Sequence, residues 1–549
     1  MAGLQEAFDS VGASLEHHLT ASHAAGAALA VTDREDILGV AVRGMADVAS
    51  ATPVRPETRF QIGSISKSFA AIVAMQEVDA GRLDLHISVN ELLPWLGLPE
   101  PFAPITLHHL LTHTAGLHTG TEDAPGFAGA VQLLREYPAT SPPGERFHYS
   151  NDGYKIVGVV LEEITGLPIH DLLAERLLGP LGMTSSVAAI TDEIWTDHAT
   201  GYEPMLTDRP AQLRHPLAVA PRIVSNTADG SIVSTVVDMC AYARLLLARG
   251  DRPDGRGGRI LSEDGFTRLM ASAVDDTDHG RYGYGLWTEE VEGRTWFGHS
   301  GGMVGYTAHL ITLPDEGIAC VVLQNGGGDK RGVTGAALAA VRAGLAGEEL
   351  PVPWAPPAST AIPSGDDFVG TYAGEDGRTL EVRTDEDGVS ISIGPVSARL
   401  ERDPLLDDPG EFFLVAHPAF ERFPLEFRRD GAGRVVEAFH AGTWFRGERY
   451  EGPEPDEPPA GWDRHVGIYR NDDPWSAVLR IVLRKGRLAI FWPTDASDEE
   501  GGELTPLDDG SFAVGDPALP RRVRFEGDVR GKTAVVVCNG GRWFRSFEE

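Results

Sequence analysis

Apolar positions in the first 350 residues fall into two periods. Over 31–42, two short apolar runs flank the polar turn Asp33-Arg34-Glu35-Asp36, the pattern of a β-hairpin. Over 68–80, Phe69, Ile72, Val73, Met75 and Val78 recur at three- and four-residue spacing, which predicts a helix. A further helix is predicted over 154–164, stopped by Gly166. Residues 306–313 and 317–323 read as adjacent strands joined by Pro314-Asp315-Glu316, and a helix over 333–345 follows. Strands at both ends and helices between them predict an antiparallel sheet with a helical insertion.

The pattern changes after residue 350. Residues 351–365 are rich in proline and alanine and read as a linker, as do residues 451–461. The segments 366–450 and 462–549 hold short alternating strands and turns. Val369-Gly370-Thr371-Tyr372 is answered 97 residues later by Val466-Gly467-Ile468-Tyr469. Gly442-Thr443-Trp444-Phe445-Arg446 is answered 99 residues later by Gly541-Arg542-Trp543-Phe544-Arg545. Matching ends at near-equal spacing predict a duplicated all-β unit of about eight strands. Small antiparallel, lipocalin-like barrels or sandwiches fit. Trp444, Trp492 and Trp543 read as barrel core.

A chain of 549 residues is too long for one core. With 42% hydrophobic and 23% charged residues, the composition is that of a globular protein. The net charge of -34 would repel polyanions, so no nucleic-acid partner is expected. No 18-residue apolar run occurs and the first residues lack a basic, then apolar, leader. The expectation is a cytoplasmic protein with no membrane partner. Cys240, Cys320 and Cys538 are odd in number and far apart, which argues against a disulfide framework.

Only five of the 47 basic residues are lysines: Lys67, Lys155, Lys330, Lys485 and Lys532. Arginine stays charged, whereas lysine can be tuned to give up its proton. Lys67 ends Ser64-Ile65-Ser66-Lys67, at the start of a predicted helix. Residues three apart share a helix face, so Lys67 can reach the Ser64 hydroxyl. A serine needs such a base to become a nucleophile. Alone, the pattern also describes a helix cap and a surface lysine.

Two more clusters add chemistry. In Phe147-His148-Tyr149-Ser150-Asn151, a tyrosine beside a lysine can be held as phenolate or can pass a proton. Asn151 offers a donor and an acceptor to a substrate amide. In Gly298-His299-Ser300-Gly301-Gly302, a glycine-rich edge admits a substrate backbone. The Gly302 N–H could join that of Ser64 in an oxyanion hole. His109 and His113 lie four apart, but without H-E-x-x-H or a carboxylate ligand no metal is expected. His17, His18 and His23 read as the solvated face of an N-terminal helix. No G-x-S-x-G elbow stands at a strand-to-helix turn.

In this order, Ser64-x-x-Lys67, Tyr149-x-Asn151 and His299-x-Gly301 resemble the S-x-x-K, S-D-N and K-T-G set of the penicillin-recognising serine hydrolases. The likeness is to the class C β-lactamase branch, with its esterases and D-aminopeptidases, where tyrosine replaces the first serine of S-D-N. Leu110-Leu111-Thr112-His113-Thr114-Ala115-Gly116-Leu117 is similar to the family's L-L-T-H-T-S-G-L. Leu178-Gly179-Pro180-Leu181-Gly182-Met183 and Tyr282-Gly283-Tyr284-Gly285-Leu286 are similar to further landmarks. The resemblance implies a β-lactamase/transpeptidase-like α/β (α+β) catalytic domain over 1–350. It implies an acyl-enzyme on Ser64, with Lys67 and Tyr149 sharing the acid–base work. Asn151, His299, Ser300, Gly301 and Gly302 would hold the substrate, with no cofactor and no metal.

One departure matters. Where these enzymes place a lysine that meets a substrate carboxylate, this chain has His299, a group of pKa about 6.5. Poor β-lactamase and D,D-carboxypeptidase activity is therefore expected. A catalytic domain followed by two barrels resembles the D-aminopeptidase type, which removes N-terminal D-residues from peptides, amides and esters. Barrels also accompany esterases and peptide-cyclising thioesterases of the family. The expected partner is a small-molecule or peptide substrate. Hydrolysis, acyl transfer and a binding role with a vestigial site stay open.

Overall fold

Gly26–Thr32 is buried at every position, the mark of a strand covered on both faces. Its partners follow from alternation. In the computed structural model, Ala27, Leu29 and Val31 meet Val11 and Leu15 of the helix Ala2–Thr20 and Val333, Leu338 and Val341 of the helix Lys330–Ala346. Ala28 and Ala30 point the other way, into a larger core with Phe69, Ile72, Met239 and Leu246. The structure describes residues 2–120, 134–135, 139–253, 257–271, 274–276, 280–291, 293–402, 412–493 and 502–547.

The sheet has nine antiparallel strands among the described residues. Their order is Thr52–Pro53, Ile37–Asp47, Gly26–Thr32, Ile318–Gln324, Tyr306–Leu313, Arg294–Met303, Trp287–Val291, Gly280–Tyr282 and Val274–Asp276. Three strands from before residue 54 thus lie side by side with six from after residue 273, the two groups joined where Gly26–Thr32 pairs with Ile318–Gln324, and the helices come between them in sequence. The helix Ser66–Asp79 is buried almost all round, as a central helix must be. The helix Asn151–Thr165 begins where Ser150 Oγ accepts the Gly153 N–H at 3.0 Å and ends at Gly166, with φ of 71°. Cys240 and Cys320 are buried free thiols.

The N-terminal histidines correct the sequence expectation. His18 is buried and its Nε2 lies 2.8 Å from Gln324 Oε1. His23 is also buried and stands beyond the end of the helix Ala2–Thr20. The polar pattern concealed this because the end of a central strand supplies the hydrogen-bond partner from 306 residues away.

Two compact units divide the chain: Met1–Glu203 with Leu217–Pro356, and Pro204–Pro216 with Pro357–Glu549. The second holds two closed barrels of eight antiparallel strands. One runs from Gly370–Gly374 to Thr443–Gly447, the other from Gly467–Arg470 to Gly541–Arg545. The repeated motifs are the seams, since the first and last strands of each barrel pair at Tyr372 with Gly447 and at Tyr469 with Arg545. Phe368, Tyr372, Phe413 and Phe427 fill the first interior. Tyr469, Ile490, Trp492 and Trp543 fill the second. Trp444 is buried outside the first barrel's apolar cluster, donating to Glu437 at 2.7 Å beneath the Lys485 ammonium.

The stretch Pro204–Pro216, inside the segment 1–350, packs with the barrels. Glu421 is held by both Arg209 and Arg214, and the Asp208 carbonyl accepts from Arg480 at 2.8 Å. The barrels are joined by Arg484, which bonds Glu426 at 2.5 Å and lies over the Phe491 ring at 4.2 Å. No helix among the described residues is long and apolar enough to cross a membrane.

Both partners of the Arg484–Glu426 pair are buried. Removing one leaves the other charge uncompensated, at a cost of about 3–5 kcal/mol. Glu426→Ala is expected to lower the denaturant midpoint of the barrel region by that order, read by tryptophan fluorescence. An unchanged midpoint would contradict the pair's structural role.

Candidate active site

A left-handed glycine starts the site. Gly63 has φ of 52°, and a Cβ there would lie 2.5 Å from the Gly302 carbonyl oxygen. Only glycine allows that approach. Ser64 follows, in the 3-10 turn Gly63–Ile65 that precedes the helix Ser66–Asp79. The sequence reading starts the helix at Ser64 itself. The short turn still brings residue i beside i+3, so Lys67 reaches the serine.

Lys67 is buried, and its Nζ bonds three oxygens. They are Ser64 Oγ at 3.0 Å, Asn151 Oδ1 at 2.8 Å and the Asp229 carbonyl at 2.9 Å. The Tyr149 ring lies 4.8 Å from Nζ, and the Tyr149 side chain hydrogen-bonds Ser64. Burial pushes the Tyr149 phenol well above its ordinary range; the Ser64 bond opposes this and the Asp229 charge adds to it. Tyr149 is therefore a neutral phenol at neutral pH. Asn151 accepts from Lys67 through its Oδ1, so its amide N–H group is not used in that bond.

Loop 139–150, which carries Tyr149, is braced by His113. That residue has φ of 56°; its Nδ1 accepts the Ser150 N–H at 3.0 Å and its carbonyl accepts the His148 N–H at 2.8 Å. Its ring lies 4.2 Å from the Tyr149 ring. Burial holds its pKa well below the ordinary value, and the Lys67 charge adds to this.

The strand Arg294–Met303 forms the opposite wall. A Cβ at Gly301 would meet the Ile62 carbonyl at 1.9 Å, and one at Gly298 the Leu310 carbonyl at 1.9 Å. Gly302 instead has nothing within 4 Å in that direction, so the edge is open there. His299 is buried. Its Nδ1 contacts the Ser300 carbonyl, which can only accept, so Nδ1 carries the hydrogen. Its Nε2 then accepts from the Tyr282 hydroxyl at 3.1 Å. Burial, reinforced by Lys67, lowers its pKa to about 3, so the imidazole is uncharged.

Ser64, Lys67, Tyr149 and Asn151 thus form one hydrogen-bonded cluster, with Gly302 packed against its turn. His299 stands near it, its ring 6.4 Å from that of Tyr149, with both nitrogens engaged by the protein. The Ser300 side chain bonds none of the cluster, and Ser300 lies within a strand. His109 and His113 part company: His109 Nδ1 caps its own helix at Thr106. Among the described residues no three His, Cys, Asp or Glu could hold a metal ion. Four residues escape the sequence motifs. His113 and Tyr282 sit in the landmark segments. Trp287 stacks on Tyr149 at 6.0 Å, and Asp229 carries no sequence signal.

A family profile described as Beta-lactamase matches residues 12–352. Penicillin-binding protein 4 of Amycolatopsis lactamdurans is 29% identical over 387 residues, spanning 68% of this chain and 97% of its own. A D-aminopeptidase of Gluconobacter oxydans is 26% identical over 384 residues, 66% of each chain. The solved octameric penicillin-binding protein homologue from Pyrococcus abyssi is alike in fold, with a TM-score of 0.55 at 24% identity over 80% of this chain and 98% of its own.

His299 gives a pH prediction. Its pKa is 6.5 when unperturbed and about 3 in the fold. Between those values the unfolded chain binds a proton that the folded chain refuses, so acid favours unfolding. The urea midpoint is expected to fall as pH drops from 6.5 toward about 3, and His299→Gln to flatten part of that slope. Equal slopes in both proteins would contradict a neutral buried imidazole.

Proposed function

Because the chain belongs to the beta-lactamase family, we propose that it is a serine hydrolase that cleaves amide or ester bonds through an acyl-enzyme on Ser64, with D-aminopeptidase-like specificity. One observation carries the reading: Lys67 Nζ, buried, stands 3.0 Å from Ser64 Oγ and is fixed there by Asn151 and the Asp229 carbonyl. Nothing about a structural helix cap requires a buried lysine with that set of partners. The D-aminopeptidase relative supports the specificity.

The steps follow from the protonation states. Lys67 rests as the ammonium; once it has released a proton to solvent, its free amine takes the Ser64 proton as Oγ attacks the substrate carbonyl carbon. Tyr149, a phenol held against ionisation by burial, suits the donor's part and protonates the leaving nitrogen or oxygen as its bond to carbon breaks. The proton on Lys67 then restores Tyr149. Water adds to the acyl-Ser64 ester and releases the acid. Asn151 would donate its amide N–H to the substrate. The backbone N–H groups of Ser64 and Gly302 would receive the developing oxyanion. A neutral His299 supports weak recognition of a substrate carboxylate at the third motif.

The test is a panel of D- and L-amino acid p-nitroanilides, short-chain p-nitrophenyl esters and a chromogenic cephalosporin, with Ser64→Ala in parallel. The expected result is release from D-anilides, slow cephalosporin opening, and a loss of roughly 10³-fold or more in Ser64→Ala. Ester release alone moves the reading to a family esterase or acyltransferase. Fast cephalosporin hydrolysis refutes the role given to His299. Full turnover by Ser64→Ala refutes the acyl-enzyme.

A further inference from the structure

The solvent side of the cluster is aromatic. Ser64, Tyr149, Trp287 and Gly302 each keep part of their surface open, while their neighbours Lys67, Tyr282 and His299 are buried. Trp287 begins the strand Trp287–Val291 and pairs with Gly298 on one side and Tyr282 on the other. Its ring runs parallel to that of Tyr149, with centroids 6.0 Å apart and planes 7° from each other. Tyr282 meets it edge-on at 4.8 Å, and the His299 ring lies 4.3 Å away.

These supports are themselves fixed. The His299 nitrogens are engaged by the Tyr282 hydroxyl and the Ser300 carbonyl. A ring packed among three others and carried on a strand is held in place before a ligand arrives, so contact with it costs little ordering. Charge points the same way. An ammonium has three N–H donors, and those of Lys67 go to Ser64 Oγ, Asn151 Oδ1 and the Asp229 carbonyl. His113 and His299 are buried and uncharged. What the cluster presents beside Tyr149 is therefore a ring face and not a spare cation.

In the acyl-enzyme reading above, Tyr149 stands at the atom that leaves. Resting on that reading, we propose that Trp287 is a specificity residue: with Tyr149 it forms a subsite for the leaving group and selects uncharged leaving groups that carry an aromatic ring. The substrates are then esters and amides whose alcohol or amine part is aromatic. Stacking and apolar area removed from water beside the breaking bond supply the preference.

The experiment compares the benzyl and methyl esters of alanine, in both hands, with Ser64→Ala as the control. The two leaving alcohols are of similar acidity, so the ratio of kcat/KM values reads contact with the ring and not ease of expulsion. The wild type is expected to favour the benzyl ester by at least about tenfold. Trp287→Ala is expected to bring the ratio within about twofold of one. Trp287→Phe keeps a ring and is expected to hold most of the preference. Trp287→Leu keeps bulk without a ring, and reads the same loss if Trp287→Ala fails to fold. A 4-carboxybenzyl ester is expected to be slower than the benzyl ester. Three results overturn the proposal and leave the hydrolase reading standing. The first is Ser64-dependent turnover of both esters with no benzyl preference. The second is a Trp287→Ala protein that slows both esters equally, as a residue that only steadies Tyr149 would. The third is a 4-carboxybenzyl ester that outruns the benzyl ester. Absence of Ser64-dependent turnover of every ester overturns the hydrolase reading and this inference together.

Discussion

A buried ammonium must find its hydrogen bonds inside the protein, and Lys67 imposes that demand on three separate stretches of chain. The turn at Ser64 provides one oxygen, the first residue of the helix Asn151–Thr165 a second, and the loop at Asp229 a third. None of the three can shift without stranding the charge. The same charge lowers the affinity of His113 and His299 for protons, adding to burial. The neutrality of the histidines and the position of the lysine therefore belong to one electrostatic arrangement.

The backbone makes that arrangement possible. Gly63 and Gly301 bring the nucleophile turn and the strand Arg294–Met303 together at distances no side chain tolerates. Gly302, one residue on, leaves the edge open. His113, in a left-handed conformation, ties the loop of Tyr149 from beneath. The sheet that carries this strand draws its strands from both ends of its unit. In the other unit, each barrel interior is filled by its own aromatic and aliphatic side chains. The 204–216 stretch is held in that unit by paired charges.

Much of this was legible in the chain. Period-3.6 spacing marked the helix over 68–80, and glycine at 166 marked the end of another, because local geometry alone decides those features. The barrel repeat was legible because its matching motifs are the seam strands, which every closed barrel must pair. The Ser64-x-x-Lys67 spacing indicated a contact that the structure contains. What was not legible depends on distant partners. His18 reads as a surface residue until Gln324 arrives beside it. Asp229 carries no motif, since a main-chain carbonyl holds Lys67 and any residue type supplies one. The ring of His299 reads as a substrate contact, but Tyr282 and the Ser300 carbonyl occupy its nitrogens. Pro204–Pro216 looks like part of the first 350 residues because proximity in sequence conceals the ion pairs at Glu421.

The account stands on Ser64 being activated by Lys67. The most direct measurement is covalent labelling by a fluorophosphonate, with the adduct located by peptide mass spectrometry in the wild type and in Lys67→Ala. The account predicts one adduct, on Ser64, formed at a rate that falls by roughly a hundredfold or more without the lysine. An adduct on any other residue, or equal labelling rates in the two proteins, would contradict it.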